Sequence, residues 1–148
     1  MVEEVPIHAA TLRYFDVAGP FAAAALPAPG LMLARLRPTE TLALSEEAAP
    51  IIELRDRLAQ VGGGHVVELT GGLKAFRLGG ARVAELLSRL GSAAIGLQVG
   101  EARRGRFADV PVLVVCERAE EALLIVDRAY AEHLRGWIEA TLADWRHG

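Results

Sequence analysis

"LKAFRLGGARVAELL", Leu73 to Leu87, carries a strand-like apolar run through a glycine pair into an amphipathic helix. Upstream, "LRYFDVAGPFAAAAL", Leu12 to Leu26, has the same length and order. Leu12 and Leu73, Phe15 and Phe76, Gly19 and Gly80, Ala23 and Ala84, and Leu26 and Leu87 coincide without a gap. Further on, "PTETLALSEEAAPIIELRDRL" and "AEEALLIVDRAYAEHLRGWIEATL" both read as strand, short acidic link and amphipathic helix. The chain is therefore read as one 148-residue domain with an internal pseudo-repeat, its halves at about 11–62 and 65–146. The period is too long and the copies too few for a solenoid, which leaves two similar α+β halves sharing one sheet system as the expected fold class.

The remaining elements follow from period and punctuation. "LMLARLRPTETLAL" reads as two short strands turned around Pro38. A helix is expected from about Pro50 to Val61, with Ile51, Leu54 and Leu58 as its apolar stripe and Gly62 to Gly64 as its stop. "HVVEL" and "LKAFRL" flank Thr70-Gly71-Gly72, which predicts a hairpin. A second helix is expected over about Ala81 to Leu90, with Val83, Leu86, Leu87 and Leu90 on one face and Gly91 ending it. "RGRFADVPVLVVCERAEEALLIV" predicts a three-strand meander turning near Ala108-Asp109 and Ala119-Glu120. Asp127 is placed to cap the last helix, where Tyr130, Leu134, Trp137, Ile138, Leu142 and Trp145 recur at helical spacing. Both tryptophans are thereby expected to pack in the core.

Composition restricts the function classes. With 52% hydrophobic residues the chain can bury a core, and a net charge of −3 gives no general attraction for nucleic acid or anionic lipid. A single cysteine excludes an intrachain disulfide, and the acidic start "MVEEVPIHAA" does not read as a signal peptide, so a cytoplasmic location is expected. No transmembrane run is present. A mean hydropathy of +0.27 is high for an acidic domain and favours a surface partly covered by a partner subunit.

The candidate residues point away from chemistry in this chain. Gly79-Gly80 lacks the third glycine of G-x-G-x-x-G and the Lys-Ser/Thr of a P-loop, so it is read, like Gly19, as a turn that needs glycine's backbone freedom. His8, His65, His133 and His147 have no i, i+2 or i+4 partner among themselves, which argues against a metal site. Cys116, at the end of "VPVLVVC", reads as a small buried thiol. None of Ser45, Ser88 and Ser92 sits in G-x-S-x-G, and Ser45 is expected near a helix cap. Glu120 and Glu121 are expected in an exposed turn, and Arg103, Arg104 and Arg106 along a solvated edge strand. Asp109 and Arg128 have structural readings at a turn and a helix entry. No catalytic, cofactor-binding or metal-binding residue is assigned.

"HVVELTGGLKAFRLGGARVAELLSRLG", followed by "GRFADVPVLVVCERAEEALLIVDRAYAEHLRGWIEATL", resembles the gamma subunit family of heterotetrameric sarcosine oxidase, within the folate-binding aminomethyltransferase-like superfamily. The upstream "ARLRPTETLALSEEAAPIIELRDRL" resembles the same family, and together the match spans about Leu31 to Trp145. The resemblance implies the aminomethyltransferase-like (folate-binding-domain-like) α+β fold, with antiparallel sheets and three main helices. It also implies a non-catalytic assembly subunit in a complex that oxidatively demethylates sarcosine or a related secondary amine. FAD, FMN, NAD and tetrahydrofolate would sit on the other subunits, which are the implied partners. The alternatives are a stand-alone folate-binding or aminomethyltransferase-like protein and an orphan interaction module.

Overall fold

The computed structural model of the chain describes residues 2–25, 27–69, 71–90, 98–107 and 109–147. Leu26, Thr70, Gly91, Ser92 and Ala108, and the side chains of Leu90 and His147, lie outside the described residues. In chain order the elements are β1 (Val2–Val5), β2 (His8–Tyr14), α1 (Pro20–Ala24), β3 (Met32–Arg37), β4 (Glu40–Ser45), α2 (Ala48–Ala59), β5 (Gly64–Glu68), β6 (Leu73–Gly79), α3 (Val83–Leu90), β7 (Ala102–Phe107), β8 (Val110–Arg118), β9 (Glu121–Asp127) and α4 (Ala131–His147). They form an α+β fold divided into two compact units, Pro6–Gly71 and Met1–Val5 with Gly72–Gly148.

In the Pro6–Gly71 unit an antiparallel sheet has the order β3-β4-β2-β5. Ala10 faces Ala43 across the ladder, and Ala10, Leu12 and Tyr14 pack against Phe21 of α1 and Ile51, Leu54 and Leu58 of α2. The expected stripe of α2 is thus its buried face, and each such side chain contributes roughly 1.5–3 kcal/mol of transfer free energy. The helix begins at Ala48, two residues before Pro50, whose missing amide falls in the first turn where no intrahelical acceptor exists. Ser45 Oγ accepts from the Glu47 amide at 3.1 Å, just before that turn.

The glycines after α2 do not stop it. The helix already ends at Ala59, where the Gln60 amide closes on the Arg57 and Leu58 carbonyls, and Gly64 opens β5. A Cβ on Gly64 would lie 2.5 Å from both the Arg13 carbonyl oxygen and the Phe21 ring, so this glycine is required by close approach.

The second unit carries its own five-stranded antiparallel sheet ordered β1-β6-β9-β8-β7, so the expected single sheet system is not formed: no strand of one unit pairs with a strand of the other among the described residues. Its β7-β8-β9 portion is the expected meander, with Asp109 at φ 65° in the tight β7 to β8 connection. Phe76 faces Leu124 and Leu78 faces Ala122 between β6 and β9. These residues join Val112 and Val114 of β8, Val83, Leu86 and Leu87 of α3, and Leu134 and Ile138 of α4 in one core. Asp127 accepts from the Ala129 amide at 2.8 Å and starts a 3-10 turn, Arg128–Tyr130, that feeds α4.

The predicted hairpin over Thr70-Gly71-Gly72 is not formed. β5 pairs with β2, whereas β6 pairs with β1 and β9, so the flanking strands belong to different sheets. Two strands around a glycine pair specify a change of direction and leave the pairing to whichever neighbour buries each face. The three main helices are present, with the five-residue α1 in addition.

The aligned stretches also diverge in detail. Phe76 is buried in the middle of β6, but Phe15 lies just beyond β2 and is 70% exposed. Gly80 has φ 127°, as its turn reading requires, whereas Gly19 caps α1 at φ −82° in ordinary extended geometry. What confines Gly19 is space, since a Cβ there would lie 3.2 Å from the Asp16 carbonyl oxygen. At the level of pairing, the two sheets share one scheme. The order β5-β2-β4-β3 is matched by β1-β6-β9-β8, in which the strand that precedes a helix pairs with the last strand before the next long helix.

Candidate interaction surface

α4 buries Ala131, Leu134 and Ile138, and packs Leu142 and Trp145 against the same core. The helix advances about 100° per residue, so Trp137, one position from Ile138, lies well off the centre of that stripe. It is 52% exposed, and Tyr130 is 47% exposed. The expectation that both tryptophans are core residues holds for Trp145, which packs against the core with the Arg82 guanidinium 4.0 Å from its ring centre, and fails for Trp137. The hydrophobic spacing identified the helix but not the edge of its buried face. Tyr130 ends the 3-10 turn before α4 and Trp137 lies on the helix, and exposed Tyr and Trp are the residue types that anchor protein interfaces.

Arg103, Arg104 and Arg106 stand on β7, the terminal strand of its sheet. All three are exposed, as expected of an edge, and Arg106 donates to the Asp109 carbonyl. A basic edge strand discourages uncontrolled strand pairing and still offers cations to an acidic partner.

Gly79-Gly80 borders a shallow depression of about 620 Å³, lined by Glu3, Arg77, Arg118, Ala119, Glu120 and Glu121 besides the glycines. The Gly80 amide donates to the Glu120 carbonyl at 3.0 Å, so it serves the turn. Three carboxylates against two guanidiniums make the depression unfavourable for a phosphate, in agreement with the turn reading. Glu121 is not the solvated turn residue expected. It opens β9, half-buried, with its carboxylate 3.6 Å from both Arg77 and Arg118. Arg77, at the centre of this group, was not singled out from sequence, because an arginine inside an alternating strand looks like any outward-facing charge.

The other candidate residues form no metal-holding group among the described residues. His8 begins β2, His133 lies on α4, and His65 on β5 meets the Phe15 ring edge-on at 5.2 Å. Among the described residues no group of three or more His, Cys, Asp or Glu side chains is placed to hold a metal ion. Ser88 Oγ donates to the Glu85 carbonyl within α3. Cys116 is half-buried, with its thiol directed to the Arg118 carbonyl at 3.3 Å. Burial, reinforced by Glu101 and Glu117, pushes that thiol above its ordinary pKa, the opposite of what a nucleophile needs. Among the described residues no helix is long and apolar enough to cross a membrane.

No family model matches the chain, and no curated protein sequence matches it. Solved structures do. A chain of the heterotetrameric sarcosine oxidase from Corynebacterium sp. U-96, in complex with pyrrole 2-carboxylate, superposes with TM-score 0.78 at 21% identity, over 97% of this chain and 84% of that chain. The regulatory subunit of aspartate kinase from Thermus thermophilus, in its ligand-free form, superposes with TM-score 0.58 at 14% identity, over 95% of this chain and 96% of that chain. The chain thus shares its fold with a chain found in a heterotetrameric oxidoreductase.

Proposed function

We infer that this chain is a gamma-like assembly subunit of a heterotetrameric sarcosine oxidase-like flavoenzyme, with the aminomethyltransferase-like fold. The observation that carries the reading is the superposition over 97% of the chain on a chain of such an oxidase. The family resemblance of Leu31 to Trp145 points the same way from sequence. In this reading FAD, FMN, NAD and tetrahydrofolate are held by other subunits, and the complex oxidatively demethylates sarcosine or a related secondary amine. The contribution of this chain is surface: Trp137 on α4 and Tyr130 in the 3-10 turn before it as apolar anchors, and the arginine-bearing edge β7 for an acidic face.

Purification of the tagged chain from its native source tests the reading. Recovery in fixed stoichiometry with flavin-bearing chains, and with sarcosine-dependent oxidation in the same fraction, is the expected result. A lone monomer with no flavin in the eluate overturns it. Calorimetric titration of the isolated chain with tetrahydrofolate is expected to give no saturable heat. Micromolar binding there would move the chain to a folate-binding role of its own.

A further inference from the structure

The Pro6–Gly71 unit holds an open cleft of about 420 Å³ between α1 and the sheet. Its construction follows from the ladder. Arg35 lies opposite Thr41, and Thr41 opposite Leu12, so these three side chains share the face of the sheet that α1 and α2 cover. Tyr14, two residues along β2 from Leu12, is on that face too. Arg35, Thr41, Tyr14 and Leu33 therefore line one side of the cleft, while Ala22 and Ala23 of α1 line the other.

Three polar groups face this cleft without a protein partner among the described residues. Tyr14 is 5% exposed and Thr41 9% exposed, yet among the described residues neither side-chain hydroxyl has a hydrogen-bond partner. The Arg35 guanidinium, exposed at the same site, has no ionic partner among them either. The nearest acid in sequence, Glu40, is turned to the opposite face of β4, where Arg13 and Arg37 lie 3.6 and 3.9 Å from it. Neither oxygen is a buried orphan, so both hydroxyls open onto the cleft, and a cation with two hydroxyl donors beside small apolar side chains is complementary to a negative head on an apolar body.

We propose that this cleft binds a compact apolar monocarboxylate, its carboxylate on Arg35 with Tyr14 and Thr41 donating to it, and its hydrocarbon part against Leu33, Ala22 and Ala23. The carboxylate takes the place of water as acceptor for the three groups, and the alanines of α1 leave room for a ring. Nothing in the arrangement acts on the ligand, so the step is binding alone.

The test titrates the 148-residue chain, labelled with nitrogen-15, with cyclohexanecarboxylate and separately with its neutral twin cyclohexanecarboxamide. Saturable shifts centred on the amides of Gly19, Ala22, Ala23 and Arg35 are expected for the carboxylate, with a dissociation constant on the order of millimolar. The amide is expected to bind at least about tenfold more weakly, as is the carboxylate to Arg35→Gln, because each loses a charge-assisted bond. Tyr14→Phe is expected to weaken binding roughly threefold or more. Equal affinity for carboxylate and amide, or an absence of shifts at those amides, overturns the proposal using the unmodified chain. Undiminished binding by an Arg35→Gln chain of unchanged melting temperature overturns it as well.

Discussion

Arg77 grips both oxygens of Glu117: its Nε lies 2.9 Å from one and its Nη2 3.2 Å from the other. The pair joins β6 to the end of β8, and Glu3 and Glu121 lie 3.4 and 3.6 Å from the same guanidinium. The Glu117 side chain is only 12% exposed, so the fork holds a carboxylate that water reaches poorly. Arg77→Met is expected to destabilise the chain by about 1–3 kcal/mol, because it leaves that carboxylate uncompensated. The double variant Arg77→Met with Glu117→Gln should recover part of the loss. Denaturant midpoints of the single and double variants check this, and strictly additive losses would mean that the two side chains are not coupled.

Gly64→Ala is expected to cost about 1–3 kcal/mol, the range for forcing a methyl into filled space. The obstacles are the Arg13 carbonyl oxygen and the buried Phe21 ring, each 2.5 Å from the added carbon. Backbone cannot step aside as a flexible side-chain end can. Gly62→Ala, where the same carbon meets nothing within 4 Å, is the control and should leave the melting temperature close to that of the parent.

Glu4 receives a hydrogen bond from Arg135 at 2.7 Å and has Lys74 at 3.5 Å. The Arg135 bond chiefly holds its carboxyl below the ordinary value of 4.5. A carboxylate depressed in the folded state contributes stability at neutral pH, and the contribution fades as pH falls below the ordinary glutamate range. The melting temperature gap between the parent and Glu4→Gln should therefore be present near about pH 7 and close in acid. A gap independent of pH would assign the difference to something other than this charge.

Cys116 should alkylate slowly. Its pKa is raised by burial first and by Glu101 and Glu117 after it, so iodoacetamide at neutral pH should modify the folded chain more slowly than the unfolded one. The folded rate should climb only above the pH at which an ordinary thiol ionises. A folded rate equal to the unfolded rate at neutral pH contradicts this environment for the sulfur.

Trp137→Ser is expected to change monomer stability by no more than about 0.5 kcal/mol, since the ring is 52% exposed. If α4 presents a docking face, the same change should release the chain from the proposed flavin-bearing assembly, with about 2 kcal/mol or more of binding lost. Leu134→Ala, in the core, should instead cost about 2–5 kcal/mol of folding stability. Retention of Trp137→Ser in the assembly at full yield would move the interface elsewhere.

What the sequence determined by itself was local. Period and punctuation fixed the stripe Ile51, Leu54 and Leu58, the three-strand meander and the last helix, because each depends on side chains a few residues apart. The absence of paired histidines or a nucleophile motif was equally plain from spacing. The tertiary structure alone decided which strands pair. It sent "HVVEL" and "LKAFRL" to different sheets and put Phe15 in water while its aligned counterpart Phe76 went into the core. It also turned Trp137 off the buried stripe, and brought Tyr14, Arg35 and Thr41 to one cleft and Arg77 to Glu117. Those outcomes rest on contacts between residues distant in the chain, where the free energy belongs to the pair and neither member's neighbours record it.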